Sequence, residues 1–587
     1  MKKKLRVIII TSIIMMIGMG AFLWKMNALS KQKASEQESI LKEERDLQPD
    51  NGAKVINDVE KVNIIPLYLS GQDKNVITVD YANVAEVYEG SKGNEAEKTL
   101  STIKKNKSFS FQKPLWAYNP YGTDSQSMYI YFKTNGNAYC RCTISVDDKE
   151  IPDFTRTLLN NKPGNLTKEH EYQIIGLIPG RTNYITINMY NKKKELADTA
   201  TWQIDLPADT TGLPERMSVE KGYSKQTITN GLYTVFADGT KGTDGKTHYA
   251  ILQYDNSGIL RANFPVDGCI GRNMQIIYDS LVYQGGKNRI VRVNALGQVT
   301  NTYPVVGYDI SGEYTYDGSG SVYMIATANS KNATVNSKIL KLELESGEVS
   351  QALDMDTLLA DVYKKVVKQQ GKKKAKDWVQ VNSIQCTGTN QMLISSPALS
   401  SIFKVSQVGS LLPSVDYIIA DKKLWADDKT LKDKVITKEL GEGEELEETP
   451  EPAVKSILET PVTPELFESQ FGQNSMTYTN KSGEGQYYLE MLNNNSGKGA
   501  NQDGSSYYYK YLVDEGAGTY QLNTSKAFSY TAGDGNIIYG DKVIIYCNSS
   551  EKTIQEMDRK GKLIRQYTAS VLPYRVYKTD WKGFWFY

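Results

Sequence analysis

His170 and His248 are the only histidines in this chain of 587 residues. Imidazole is the side chain best fitted to nucleophilic attack and proton transfer near neutral pH. A mechanism that needs three converging histidines is therefore excluded at the outset. His170 stands at the start of the strand-like run Glu171-Tyr172-Gln173-Ile174-Ile175-Gly176-Leu177, a position that reads as the surface or edge of a β-sandwich. His248 lies in the alternating run Thr247 to Tyr254 with Ala250 and Leu252 on its face, which reads as a half-buried structural histidine.

The five cysteines are Cys140, Cys142, Cys269, Cys386 and Cys547, and they show neither a C-x-x-C pair nor a metal-ligand spacing. No metal and no cofactor is expected. Cys140 and Cys142 share one face of a strand, a poor geometry for a bridge between them. All five are read as small buried side chains. The balance of 69 basic against 68 acidic residues gives no reason to expect a nucleic-acid partner. The 39 tyrosines against 13 phenylalanines suit half-buried strands and polar clefts, where the ring packs and the hydroxyl stays bonded.

The elements that must position such residues are strands. Four copies of one pattern stand out: apolar alternation, a polar turn with glycine, then apolar alternation again. They run from Ala250 to Leu260, Ile290 to Val299, Ile339 to Val349 and Ile554 to Leu563, with looser copies at Ile402 to Leu411 and Tyr509 to Leu522. Six hairpins of this kind predict a six-bladed β-propeller, because a closed ring leaves no long exposed edge. Two insertions interrupt the repeat. Thr357 to Lys376 reads as an amphipathic helix with Leu358, Leu359, Val362 and Val366 on one face. Gly441 to Pro452, with six Glu and no basic residue, reads as a disordered surface loop.

Before the repeat, strands such as Ser127 to Phe132 and Tyr184 to Tyr190 alternate between turn signals at Asn119-Pro120-Tyr121-Gly122, Thr134-Asn135-Gly136-Asn137 and Pro179-Gly180. Without intervening helices, they predict a small β-sandwich. At the N-terminus, Lys2, Lys3, Lys4 and Arg6 precede an apolar run of eighteen residues from Val7 to Trp24. That length and charge asymmetry predict an uncleaved signal anchor, with the bulk of the chain outside the cytoplasm. The expected organisation is all-β: a cytoplasmic tail 1–6, a single transmembrane helix 7–24, a polar stalk 25–54 read as a solvated spacer, a β-sandwich 55–207 and a propeller 208–587.

Three short segments carry a family resemblance. Asp377-Trp378-Val379-Gln380-Val381-Asn382-Ser383-Ile384, followed by Ile394-Ser395-Ser396-Pro397, resembles the Asp-Trp-x-His-x-Asn-Ser and Ser-Ser-Arg motifs of the bacterial arylsulfate sulfotransferases. Phe471-Gly472-Gln473-Asn474-Ser475 is similar to their Gly-Gln-His-Ser, and Val306-Gly307-Tyr308-Asp309-Ile310 to their His-His-Asp-Ile. The resemblance covers roughly residues 110 to 587.

The resemblance implies a six-bladed propeller with its site in the central funnel. The family moves a sulfuryl group from a phenolic sulfate ester to a phenol through a sulfohistidine, assisted by two further histidines and an arginine. Here the nucleophile position falls on Asn474, the other histidine positions on Tyr308 and Gln380, and the arginine position on Pro397. Amides do not attack sulfur usefully, and proline has no side-chain donor. No intact catalytic set is expected. Tyr308, Gln380, Asn382 and Asn474 remain as candidates for binding a phenolic or aryl-sulfate small molecule, and Arg261, Arg272, Arg289, Arg292 and Arg575 as alternative funnel cations. Three readings follow: a lapsed sulfotransferase that binds a ligand or partner at the cell surface, an active sulfotransferase rebuilt around Tyr308 or His248, and a structural envelope propeller. The likeness also implies a homodimer.

Overall fold

The computed structural model describes residues 28–29, 31–44, 63–69, 76–369, 376–439, 467–481, 485–495, 506–527, 535–540 and 542–587. The apolar run Val7 to Trp24 and the acidic run Gly441 to Pro452 lie outside these residues. Among the described residues no helix is long and apolar enough to cross a membrane.

The N-terminal β domain is built on one strand of twenty residues, Ser127–Val146. Its first part pairs with Leu115–Tyr118 and Thr167–Ile175, its second with Phe154–Thr157 and Thr182–Tyr190. The Thr134-Asn135-Gly136-Asn137 stretch, expected as a turn, does not reverse the chain. It is an irregularity in the ladder between Lys133 and Ala138 that lets one strand pass from one sheet to the other. Trp116 of one sheet meets Trp202 of the other with ring centroids 5.3 Å apart, and both are buried.

Two helices enter this domain where only strands were expected, Val84–Tyr88 and Ser91–Asn106. The longer one carries Ala96, Leu100 and Ile103 on one face, and that stripe packs on Leu115, Ala117, Tyr129 and Tyr131. His170 is a second correction. It is fully buried rather than at the surface, although its strand Thr167–Ile175 pairs on one side only, and it stacks on Phe132 with centroids 4.6 Å apart.

The remainder closes into six sheets, antiparallel except where Thr437–Glu439 adds a parallel edge strand to the fifth. Each of the six repeat hairpins is the third and fourth strand of one blade. The turn glycines sit where only a left-handed backbone closes the hairpin. Gly258 has φ 73°, and a Cβ there would lie 2.8 Å from the Met217 carbonyl oxygen. Both ends of the chain close the ring. The C-terminal strand Pro573–Thr579 pairs with Leu232–Ala237 as the innermost strand of the first blade. Ser218–Lys221 pairs with Leu563–Thr568 as the outermost strand of the last blade.

The tail beyond Thr579 turns back onto the N-terminal domain. Trp581, Phe584, Trp585 and Phe586 are buried there, and Leu159 N–H donates to the Trp585 carbonyl at 3.0 Å. The expected helix between Thr357 and Lys376 is present as Met355–Leu358 and Ala360–Gln369, with Val362 and Val366 against the fourth blade's core. The stalk differs from expectation. Residues 31–44 are helical, with Ile40 and Glu44 fully buried rather than solvated. The reason is ionic as well as apolar: Glu43 pairs with the Arg565 guanidinium at 2.6 Å.

Candidate functional site in the propeller axis

The innermost strands of the six blades are Pro573–Thr579, Met274–Ile277, Tyr308–Tyr316, Ser383–Gly388, Asn474–Asn480 and Asn536–Tyr539. Arg575 reaches across the space they enclose. Its Nη1 donates to Glu313 Oε2 at 2.5 Å and its Nη2 to Asn474 Oδ1 at 3.1 Å. One guanidinium thereby ties the first, third and fifth blades together. All three side chains are buried.

Local backbone explains each position. Glu313 sits in an irregularity of its strand between Ile310 and Tyr314. Gly312 makes the bend at φ 90°, where a Cβ would lie 2.7 Å from Gln284 Oε1. Asn474 is presented by the tight segment Gly472 to Ser475, with φ 61° at Gly472 and 56° at Ser475. That segment is held from two sides. Asn382 Nδ2 donates to the Gln473 carbonyl at 2.8 Å, and Gln473 Nε2 donates to Ser395 Oγ at 3.1 Å.

A second cation stands close by. The Arg272 guanidinium lies 4.2 Å from the centroid of the Tyr574 ring, and that of Arg575 lies 5.4 Å from the same ring. Burial pushes the Glu313 carboxyl up, against the pull of Arg575 and Arg272. Burial opposes the Arg575 charge most strongly, but Glu313 together with Tyr577 and Tyr574 outweighs it and the guanidinium stays firmly protonated. The site is thus a buried ion pair with a second arginine beside it, flanked by amides.

Of the residues singled out in the sequence, Asn474 meets Arg575 directly, and Asn382 supports the segment that carries Asn474. The other three stand apart: among the described residues, none makes a hydrogen bond or ion pair with Arg575, Glu313 or Asn474. Tyr308 is half-buried and its hydroxyl donates to Gln351 Oε1 at 3.2 Å. Gln380 is exposed with φ 45°. Pro397 starts the short turn Pro397–Leu399.

Neither histidine belongs to this cluster. His170 Nδ1 lies 2.9 Å from the Tyr172 hydroxyl inside the N-terminal domain, and His248 Nε2 lies 2.9 Å from Asp244 in an adjacent hairpin turn. Of the other arginines, Arg261 is spent on Asp255 and the Pro152 carbonyl, and Arg289 lies 3.6 Å from Asp267. Glu313 was not anticipated. The signal that could have found it is Gly312 inside a strand pattern, which marks a bulge.

A closed ring of six blades of four or five strands with polar groups converging on its axis, preceded by an Ig-like β domain, defines a class of propeller protein. Residues 218–556 match the family described as Arylsulfotransferase (ASST), and residues 115–207 match the Arylsulfotransferase Ig-like domain. The chain belongs to the arylsulfotransferase family. No curated protein matches it.

Similar solved structures include a periplasmic gluconolactonase of Pseudomonas aeruginosa, with 8% identity and TM-score 0.30, covering 75% of this chain and 99% of that one. Others are a hypothetical selenium-binding protein from Sulfolobus tokodaii, at 11% and 0.29 with 67% and 92% covered, and a streptogramin B lyase, at 12% and 0.28 with 62% and 90% covered. At these TM-scores none bears on fold or function.

Proposed function

We propose that this arylsulfotransferase-family propeller binds an aryl sulfate or related phenolic anion in its axial site and does not turn it over. The observation that carries this reading is the Arg575 contact to Asn474. Where the family resemblance calls for a nucleophilic imidazole, the chain has an amide whose oxygen is occupied as a hydrogen-bond acceptor. Losing an activated nucleophile costs many orders of magnitude in rate. Arg272 and Arg575 still supply positive charge in a low-dielectric interior, where an anion gains most from it.

The N-terminal charge pattern and the apolar run Val7 to Trp24 support a protein held at the membrane with its propeller outside the cytoplasm. The binding experiment is a calorimetric titration of the full chain with p-nitrophenyl sulfate, and then of its Arg272→Gln variant. Saturable heat that Arg272→Gln weakens by about tenfold, roughly one lost charge-assisted hydrogen bond, supports the reading. Absence of saturable heat in the unaltered chain sinks it.

A further inference from the structure

The helix 31–44 ends in a cleft between the N-terminal domain, the first blade and the last blade. Glu43 is satisfied there by Arg565 Nη2 at 2.6 Å. Glu44 is not. It is fully buried, yet neither carboxylate oxygen has a hydrogen-bond partner. Its nearest cationic group, Arg156 Nη2, is 3.9 Å away and itself lacks a hydrogen-bond partner. An ionised carboxylate offers several lone-pair sites, and burying it without donors is costly.

What opposes that cost is the Glu43–Arg565 pair and a few further contacts. The Lys221 backbone N–H donates to Glu36 at 2.8 Å, Lys221 Nζ donates to Ser39 at 3.0 Å, and Ile40 is buried. Ile40 and Glu44 are the only fully covered residues of the helix; Glu36, Gln37, Ser39, Leu41 and Glu43 are half-buried and the rest exposed. A segment held largely by polar contacts of Glu36, Ser39 and Glu43, with one badly satisfied buried charge, can exchange those contacts for water.

We propose that this cleft is a docking site for a helical segment ending in paired glutamates, and that residues 31–44 fill it in cis as a reversible latch rather than as fixed core. Burial, then the neighbouring Asp255, push the Glu44 carboxyl from 4.5 up to about 7, against the pull of Arg156, Arg261 and Lys578. Tyr567 lies within electrostatic reach of it as well. The sign follows. A carboxyl whose docked value is raised favours docking at low pH, where it is neutral in both states. That advantage is lost as pH rises through about 7. The latch closes in mild acid and opens in mild alkali.

Hydrogen exchange of the full chain, corrected for the intrinsic pH effect, tests this. Protection of residues 36–44 should fall at least about tenfold between roughly pH 5.5 and pH 8.5, while the strand Lys338–Glu343 keeps its protection. Glu44→Gln should hold the helix protected at both values. Excess synthetic peptide spanning residues 31–44, added at the lower pH, should deprotect the chain's own helix. Equal protection of the unaltered chain at both values overturns the proposal. So does an unchanged pH dependence in Glu44→Gln, or a peptide without effect.

Discussion

Arg575 and Glu313 meet at 2.5 Å although 262 positions separate them in the chain. The pair joins the strand that closes the ring to the innermost strand of the third blade. Removing one member of a buried ion pair leaves the other charged and unpaired, at a cost of about 3–5 kcal/mol. Glu313→Gln should therefore lower the thermal midpoint of unfolding clearly, and Arg575→Met combined with Glu313→Leu should recover part of the loss. A double variant no more stable than Glu313→Gln would show that the pair is not the source.

Restoring one imidazole should not restore an enzyme. Asn474→His places a nucleophile beside Arg575 and near Arg272, but Tyr308, Gln380 and Pro397 make no polar contact with that cluster, so no further imidazole accompanies it. The variant is expected to release p-nitrophenol from p-nitrophenyl sulfate no faster than the unaltered chain. The absorbance of the released phenolate reads this out. A large gain would mean that the missing groups are dispensable.

His170 makes the N-terminal domain acid-sensitive. Burial pushes its imidazole from 6.5 down to about 4. The unfolded chain therefore binds a proton more readily, and stability falls as pH drops from about 6.5 towards 4. The full loss is about 3 kcal/mol. His170→Asn should flatten this part of the stability profile, measured by denaturant unfolding across pH. An unchanged slope would place the acid sensitivity elsewhere.

Gly258 closes the outer hairpin of the first blade at φ 73°, with the Met217 carbonyl 2.8 Å from where a Cβ would stand. Gly258→Ala should cost at least about 1 kcal/mol, through backbone strain and the displaced strand before it. A variant as stable as the parent, by denaturant midpoint, would refute the tight approach.

Much of this architecture is legible in the sequence because it is local. The hairpins around Gly258, Gly297, Gly347 and Gly561 announce themselves through alternation and a turn glycine, and each became the outer half of a blade. The helix Ser91–Asn106 is hidden because Lys, Glu, Asn and Gly93 dilute a stripe of only three apolar residues, Ala96, Leu100 and Ile103. Glu44 reads as solvated because charge predicts exposure, and only Arg156, distant in the chain, reveals otherwise. Asn474 and Asn382 were found through neighbouring motif residues. Glu313 was not, since its role depends on Arg575, and no periodicity links residues so far apart.

The most direct test of the central claim is mass spectrometry of the intact chain after incubation with p-nitrophenyl sulfate, beside a calorimetric titration of the same sample. Saturable binding with no covalent sulfuryl adduct and no p-nitrophenol release is the predicted result. A sulfuryl group attached to any side chain, with stoichiometric release of p-nitrophenol, would contradict it.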